Sequence, residues 1–208
     1  MRRAKKASCL NTFVSSGVIK VKKTEDMNDS QLVESCIQGE TEEFGKIVEK
    51  YKGKVMSMAI NILGNIEDAE DVCQDTFIRA YTNLENFDVQ RSFSNWLYSI
   101  LCNRCFDLLR KRKRFRLFLK KLDVSSAQYI EAQPSNSLGS LKLNQAILKE
   151  LNPRERTVLF LWAHEGYTSE ETAQVLKCSS STARVHLFTA RRKLKRSLEQ
   201  KNVSMQSN

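Results

Sequence analysis

The chain has 208 residues, of which 34 are lysine or arginine and 24 are aspartate or glutamate, giving a formal net charge of +10. This length leaves room for one ordinary domain or two small ones, and the positive charge favours an anionic partner such as nucleic acid or an acidic membrane surface. With two prolines and seven glycines, the chain has too few turn residues for a many-stranded sheet, so we expect an all-α protein. No apolar stretch approaches the roughly 20 residues that span a bilayer. We therefore expect a cytoplasmic protein without membrane insertion.

Residues 1–28 are predicted to form a basic, disordered N-terminal arm. Seven basic residues and no acidic residue lie within residues 1–23. Polar residues such as Asn11 and Ser15 interrupt the apolar stretch behind the basic start, and a convincing signal-peptide cleavage site is lacking. Translation starting at Met27 would remove most of this arm.

Residues 29–114 are predicted to form a four-helix domain, because their apolar residues recur at helical spacing. Glycines at positions 39 and 64 should end the first two helices, and a short loop over residues 85–92 should precede the fourth. The predicted helices begin near residues 29, 41, 67 and 93, and the last of them ends near residue 114.

A second helical domain is predicted over residues 141–200. The polar stretch 115–140 loses the helical pattern and suits a flexible linker, and residues 201–208 are expected to be a disordered tail. In the second domain, Asn152 and Pro153 should cap a helix that Gly166 ends. The sequence thus predicts two small helical domains that are tethered and not fused.

The end of the second domain has the outline of a helix-turn-helix. Thr168 and Glu171 have the spacing of a capping box at the start of a short helix. Residues 177–179 should form the turn, and a longer basic helix should run from Ser180 to about Gln200. In such motifs the first residues of the second helix meet base edges and its later basic residues hold phosphates. The alternative is an ordinary helical hairpin with a solvated basic face.

The fourth helix of the first domain carries a mixed aromatic, polar and basic face opposite its apolar one. Such a surface can stack bases and hold the backbone of an unpaired strand. Aromatic residues in the preceding loop could cup a base that has left the duplex, although aromatics at helical spacing more often belong to the core. The mixed face and the loop contain Trp96, Asn103, Asp107, Arg110 and Arg114, together with Phe87, Arg91 and Phe93.

The third helix begins with acidic residues, which oppose the helix dipole favourably. Asp71, Gln74 and Asp75 recur one turn apart and could bind a basic protein or, less favourably, a divalent metal ion. A second carboxylate cluster, a phosphate-binding glycine loop and a nucleophile with a neighbouring base are lacking, so no catalytic site, metal site or cofactor is expected. The six cysteines, including the Cys102 and Cys105 pair, are expected to be buried reduced thiols.

Together these segments resemble the extracytoplasmic-function (ECF) sigma factors of bacterial RNA polymerase. The stretch DAEDVCQDTFIR at 68–79 looks like the polymerase-binding region of this family. FSNWLYSILCNR at 93–104 with residues 107–110 looks like its promoter-melting region, and NPRER from Asn152 onward looks like its C-terminal domain. The resemblance implies a non-enzymatic subunit that directs core RNA polymerase to promoters and has no cofactor. It also implies promoter DNA, duplex and melted, and a cognate anti-sigma factor as partners.

The resemblance assigns three sets of contact residues. The polymerase-binding set is Asp68, Glu70, Asp71, Gln74, Asp75, Phe77 and Arg79. The set for the minus-10 element is Phe87, Arg91, Phe93, Trp96, Asn103, Arg104, Arg110, Lys111 and Arg112. The set for the minus-35 element is Ser179, Ser180, Ser181, Thr182, Arg184, Val185, Phe188, Arg191 and Arg192. The sequence departs from the family pattern at Lys177 and Ser181, where glycine is frequent, and at Ala183, where valine is common.

Two other functions stay open at this stage. A helix-turn-helix repressor or activator would bind duplex operator DNA as a dimer and would act without polymerase. A metal-dependent hydrolase built on the acidic helix would bind a divalent ion through Asp71.

Overall fold

The structure is a computed structural model that describes residues 28–121 and 150–206, with side chains described as far as Glu199. The described residues form seven α-helices and one 3₁₀ turn, Leu84–Asn86, without a β-strand. The predicted all-α fold is confirmed. The helices are α1 Asp29–Gln38, α2 Glu43–Leu63, α3 Ile66–Thr82, α4 Phe93–Lys121, α5 Pro153–His164, α6 Ser169–Leu176 and α7 Ser180–Gln206.

Most helix ends lie where the capping residues predicted them. Gly39 and Gly64 end α1 and α2 in the left-handed conformation, which glycine adopts without steric penalty. Asn152 and Thr168 form the capping boxes of α5 and α6 with the glutamates three residues later. The start of α3 is set by Asn65, whose side chain accepts a hydrogen bond from the Asp68 amide at 2.9 Å.

Two predicted boundaries were wrong, both at helix C-termini. Helix α4 does not end at Arg114 but continues to Lys121, so residues 115–121 are helical and not linker. Helix α7 continues to Gln206, so most of the predicted disordered tail is helical as well. Both extensions lack glycine and proline, and most residues of the α4 extension have good helix propensity. Residues 1–27 of the predicted arm 1–28, residues 122–140 of the predicted linker, residues 141–149 of the predicted second domain and residues 207–208 lie outside the described residues.

The first domain packs α2 against α1, α3 and α4. Tyr51, Val55 and Met58 of α2 are buried, and Leu97 and Leu101 of α4 are fully inaccessible. The apolar face predicted for α4 is therefore its core face. Burial of that face leaves the polar side of α4 at the surface.

The second domain packs α5 and α6 against α7. Its core includes Val158, Leu161 and Val175 together with Ala183 and Ala190 from the predicted apolar stripe of α7. The carboxylate of Glu155 is only 5% exposed and is paired with Lys193 Nζ at 2.8 Å. This ion pair ties the start of α5 to the middle of α7.

The two domains also pack against one another, with α5 on α2 and α6 on α4. The carboxylate of Glu165 lies in this interface and accepts hydrogen bonds from Tyr98 Oη and Lys54 Nζ, both at 3.0 Å. Asn95 Nδ2 donates to Gln174 Oε1 at 3.1 Å. The sequence predicted two tethered domains, and in this structure they additionally share an interface.

Candidate nucleic-acid and polymerase interfaces

Three acidic residues of α3, Asp68, Asp71 and Asp75, line a groove between α3 and α4. Glu70, Asp71 and Arg79 are exposed, and Asp68, Gln74 and Asp75 are half-buried. Phe77 is different, because only 4% of its surface is accessible and its side chain belongs to the core. Six of the seven residues predicted to contact polymerase are thus at the surface, whereas Phe77 supports the helix from inside.

Two arginines from the minus-10 set pair with two carboxylates from the polymerase set. Both terminal nitrogens of Arg112 donate to the two carboxylate oxygens of Asp68. Arg104 Nε donates to Asp75 Oδ2, which also accepts from Arg79 Nε at 2.9 Å. The sequence assigned these residues to separate surfaces, but the fold makes the two surfaces neighbours. Their sequence separations of 44 and 29 residues explain why spacing alone could not reveal the pairs.

The aromatic residues at the start of α4 form a packed cluster. The rings of Phe87 and Phe93 meet edge to face at 5.6 Å, and Trp96 lies 4.9 Å from Phe87 and 5.6 Å from Phe93 between ring centroids. Phe87 and Phe93 are buried and Trp96 is half-buried. Phe87 and Phe93 are therefore core residues in this structure, which is one of the two roles that the sequence allowed for them, and each ring is covered by its aromatic neighbours. Trp96 alone of these three offers part of its surface.

The other residues of the minus-10 set line the outer side of α4 and the preceding loop. Asn103 and Lys111 are exposed. Arg91 is 80% exposed and pairs with Asp88 at 3.0 Å, and Arg110 is 68% exposed and pairs with Asp107. Ion pairs this exposed contribute little and are readily exchanged for a phosphate. The polar face of α4 therefore remains accessible to DNA.

The helix-turn-helix prediction is confirmed by α6, a short turn and α7. Lys177 lies in the turn with φ of 50°, and among the described residues it is the single non-glycine residue with positive φ. Glycine adopts this backbone conformation without the steric cost that a β-carbon brings. Ser179 caps α7 by accepting from the Thr182 amide at 3.1 Å, and the hydroxyls of the two residues are 2.8 Å apart. Both hydroxyls thus have a role in stabilising the helix start.

The outer face of α7 displays the remaining residues of the minus-35 set. Val185 and Phe188 are 62% and 66% exposed, and Ser180 and Ser181 lie at the first turn of the helix. Arg184 pairs with Glu170 of α6 at 2.6 Å, and this pair is exposed on both sides. Exposed apolar side chains bordered by arginines, as on this face, are typical of a binding site.

Two partners of this face were not identified from the sequence. The guanidinium of Arg191 stacks on Trp162 of α5 with 5.1 Å to the ring centroid. Glu170 neutralises Arg184 in the absence of DNA. Both contacts depend on how α5 and α6 cross α7, and no local signal in the sequence indicates that crossing.

The five cysteines in the described part of the chain are free thiols. Cys36, Cys102 and Cys105 are buried, and Cys73 and Cys178 are half-buried. Burial raises the pKa of Cys105 to about 12 and that of Cys102 well above its usual value. Over residues 28–121 and 150–199, no three histidine, cysteine or acidic side chains come together as a metal site. The helices described here include none that is long and apolar enough to cross a membrane.

Comparison with known proteins places both domains in one family. The profile described as Sigma-70 region 2 matches residues 47–115, and the profile described as Sigma-70, region 4 matches residues 144–194. The ECF RNA polymerase sigma factor SigW of Bacillus subtilis (strain 168) is 28% identical over 183 residues, which cover 83% of this chain and 98% of SigW.

Two solved structures share the fold over most of the chain. CnrH in complex with the cytosolic domain of CnrY matches with a TM-score of 0.62 and 28% identity, covering 83% of this chain and 97% of CnrH. The sigma factor RpoE in complex with the anti-sigma factor NepR from Bartonella quintana matches with a TM-score of 0.62 and 25% identity, covering 76% and 97%.

The two matched regions follow the order of the two domains. The second matched region includes α6, the turn and α7 as far as residue 194. The chain therefore belongs to the ECF group of the sigma-70 family, the subunits that direct RNA polymerase to promoters.

Proposed function

We propose that this sigma factor divides promoter recognition between its two domains: α7 reads the minus-35 element as duplex DNA, and α4 captures the minus-10 element after the strands part. The observation that carries this division is the presence of two separate exposed basic faces on one chain, on α7 and on α4. The α7 face belongs to a helix-turn-helix, which fits a major groove. The α4 face belongs to a long single helix, which suits a strand whose bases are splayed.

The α3 face is proposed to hold core polymerase. It offers Asp68, Asp71 and Asp75 within one helical face, which suits a basic helical surface on the large subunits. Because Asp68 and Asp75 also hold Arg112 and Arg104, a basic partner would compete for the same carboxylates. Polymerase binding would then free two arginines for DNA.

The chain is proposed to act in the cytoplasm as a non-enzymatic subunit, with chemistry performed by the polymerase. An anti-sigma factor is a further proposed partner. RpoE, which shares this fold, was solved with the anti-sigma factor NepR bound. CnrH was solved with the cytosolic domain of CnrY bound. An inhibitor that covers α3 and α4 would block both proposed surfaces of the first domain at once.

The decisive experiment is transcription reconstituted from core RNA polymerase and this protein on a promoter library. Specific initiation that depends on this protein is the expected result. Silence of the reconstituted system, combined with tight binding of the isolated protein to a duplex operator, would contradict the proposal and favour a polymerase-independent repressor.

A further inference from the structure

The last turns of α4 expose two phenylalanine side chains. Phe115 is 50% exposed and Phe118 is 56% exposed. By contrast, less than 10% of the surface is accessible at Phe44, Phe77, Phe87, Phe93 and Phe160. Every residue from Lys113 to Phe118 is exposed. The helix thus extends beyond the bundle with aromatic side chains on it, and exposed apolar groups of this kind indicate a binding surface.

The same segment carries a high density of positive charge. Eight of the twelve residues from 110 to 121 are lysine or arginine, and none is acidic. Arg110 and Arg112 pair with Asp107 and Asp68. The basic residues after Arg112 form no ion pair with a carboxylate that the structure describes, so their charge is available to an anionic partner.

Helical geometry places the rings and the charges on one surface. At about 100° per residue, Lys111, Phe115 and Phe118 fall within one sector of α4, and Arg114 and Arg112 border it on either side. Side chains three residues apart on a helix have β-carbons about 5–6 Å apart, so the two rings can contact consecutive bases. Phosphates of the same strand would lie within reach of the bordering arginines.

We infer that the segment from Lys111 to Lys121 is a second strand-binding surface, on which Phe115 and Phe118 stack bases of unpaired DNA. This inference rests on the proposed function and extends the minus-10 surface of α4 by three helical turns. Alternating aromatic and basic groups suit single strands, which expose base faces as well as phosphates. The surface begins at Lys111 of the minus-10 set, and its positive charge favours an anionic strand over an apolar protein groove.

Leucine and tyrosine substitutions separate stacking from simple apolar contact. The full chain is titrated against a fluorescently labelled single strand of about 15 nucleotides, a length within the range that such surfaces cover. The double variant Phe115→Leu/Phe118→Leu should bind about tenfold more weakly, because leucine is apolar but cannot stack. The double variant Phe115→Tyr/Phe118→Tyr should bind within about twofold of the parent. Ile37→Ala, which removes an exposed apolar side chain on α1, should leave binding unchanged.

Several outcomes would overturn this inference. Leucine variants that bind the strand as tightly as the parent would exclude stacking. Phenylalanine-dependent binding to vesicles of anionic phospholipid, without a loss of strand binding, would assign the surface to membranes instead. Core polymerase binding is measured for the same variants and should be unchanged. Failure of the parent protein to bind polymerase would refute the proposed function, whereas normal polymerase binding with unaltered strand binding would refute this inference alone.

Discussion

At the scale of single residues, the proposed contact surfaces depend on a few charged pairs and one unusual backbone angle. The sequence identified Asp68, Asp75, Arg104 and Arg112 as functional but could not show that they pair with one another. Their charges are matched across α3 and α4 in the absence of partners. DNA and polymerase therefore have to displace contacts that already exist.

Replacing Asp68 with asparagine should release Arg112 to bind phosphate. We expect the Asp68→Asn variant to bind DNA more tightly than the parent without polymerase, with a salt dependence steeper by about 0.9 in log–log slope for one added phosphate contact. Asp71→Asn, which removes the same charge from an exposed position on the same helix, is the matched control and should change the slope less. Equal slopes for both variants, measured by anisotropy over a salt series, would show that the Arg112 pair does not restrain DNA binding.

Replacing Lys177 with glycine should stabilise the second domain. A residue with a β-carbon in the left-handed region costs about 1 kcal/mol that glycine avoids, and Lys177 has φ of 50°. In chemical denaturation, Lys177→Gly should raise the free energy of unfolding by about 1 kcal/mol. The greater entropy of glycine in the unfolded chain should reduce this gain somewhat. Lys177→Ala retains the β-carbon and should show no such gain, so equal stabilities of the two variants would refute this explanation.

At the scale of helices, the sequence predicted the boundaries that have a capping residue better than those that have none. Helix boundaries are marked by the capping boxes at Asn152 and Thr168 and by the glycines at positions 39 and 64. Each of these signals depends on residues close together in the chain, so it can be recognised from the sequence. The ends of α4 and α7 lack such signals, because no glycine or proline stops them. The aromatic cluster of Phe87, Phe93 and Trp96 was ambiguous for a related reason, since aromatics suit both a core and a DNA surface.

Arg184 at the start of α7 tests the role of the helix-turn-helix. Within the holoenzyme, Arg184→Ala should lose about 1–3 kcal/mol of discrimination at one base pair of the minus-35 element, the value of one bidentate contact to a base. Selection of promoters from a randomised library would reveal relaxed preference at that position. Glu170→Gln, which removes the exposed ion-pair partner of Arg184, should leave the preferred base unchanged. An unaltered preference in the alanine variant would show that Arg184 does not read sequence.

At the scale of the whole molecule, the two domains cannot contact both promoter elements at once while they are packed against one another. The two elements are about 25 base pairs apart, which is about 85 Å at 3.4 Å per base pair. Helices α4 and α6 are in contact in this structure, so the domains must separate to bind both elements. The sequence predicted the tether that permits this separation but gave no indication of the interface, because Glu165, Tyr98 and Gln174 look like ordinary surface and core residues in isolation.

A covalent link across this interface should block initiation. Asn95 and Gln174 are joined by a hydrogen bond of 3.1 Å, so a short bismaleimide should connect the double variant Asn95→Cys/Gln174→Cys. We expect the linked protein to lose most of its promoter-dependent transcription, because its domains cannot separate. Each single variant, treated with the same reagent, controls for modification of the native cysteines. Full activity of a verified linked protein would show that separation is not required.

The most direct test of the division between the two domains is footprinting of the holoenzyme on a promoter identified in reconstituted transcription. We predict nuclease protection of the minus-35 element as duplex, together with permanganate-reactive thymines around the minus-10 element, and both signals should require polymerase. Protection of an unmelted site by this protein alone, unchanged when polymerase is added, would contradict it.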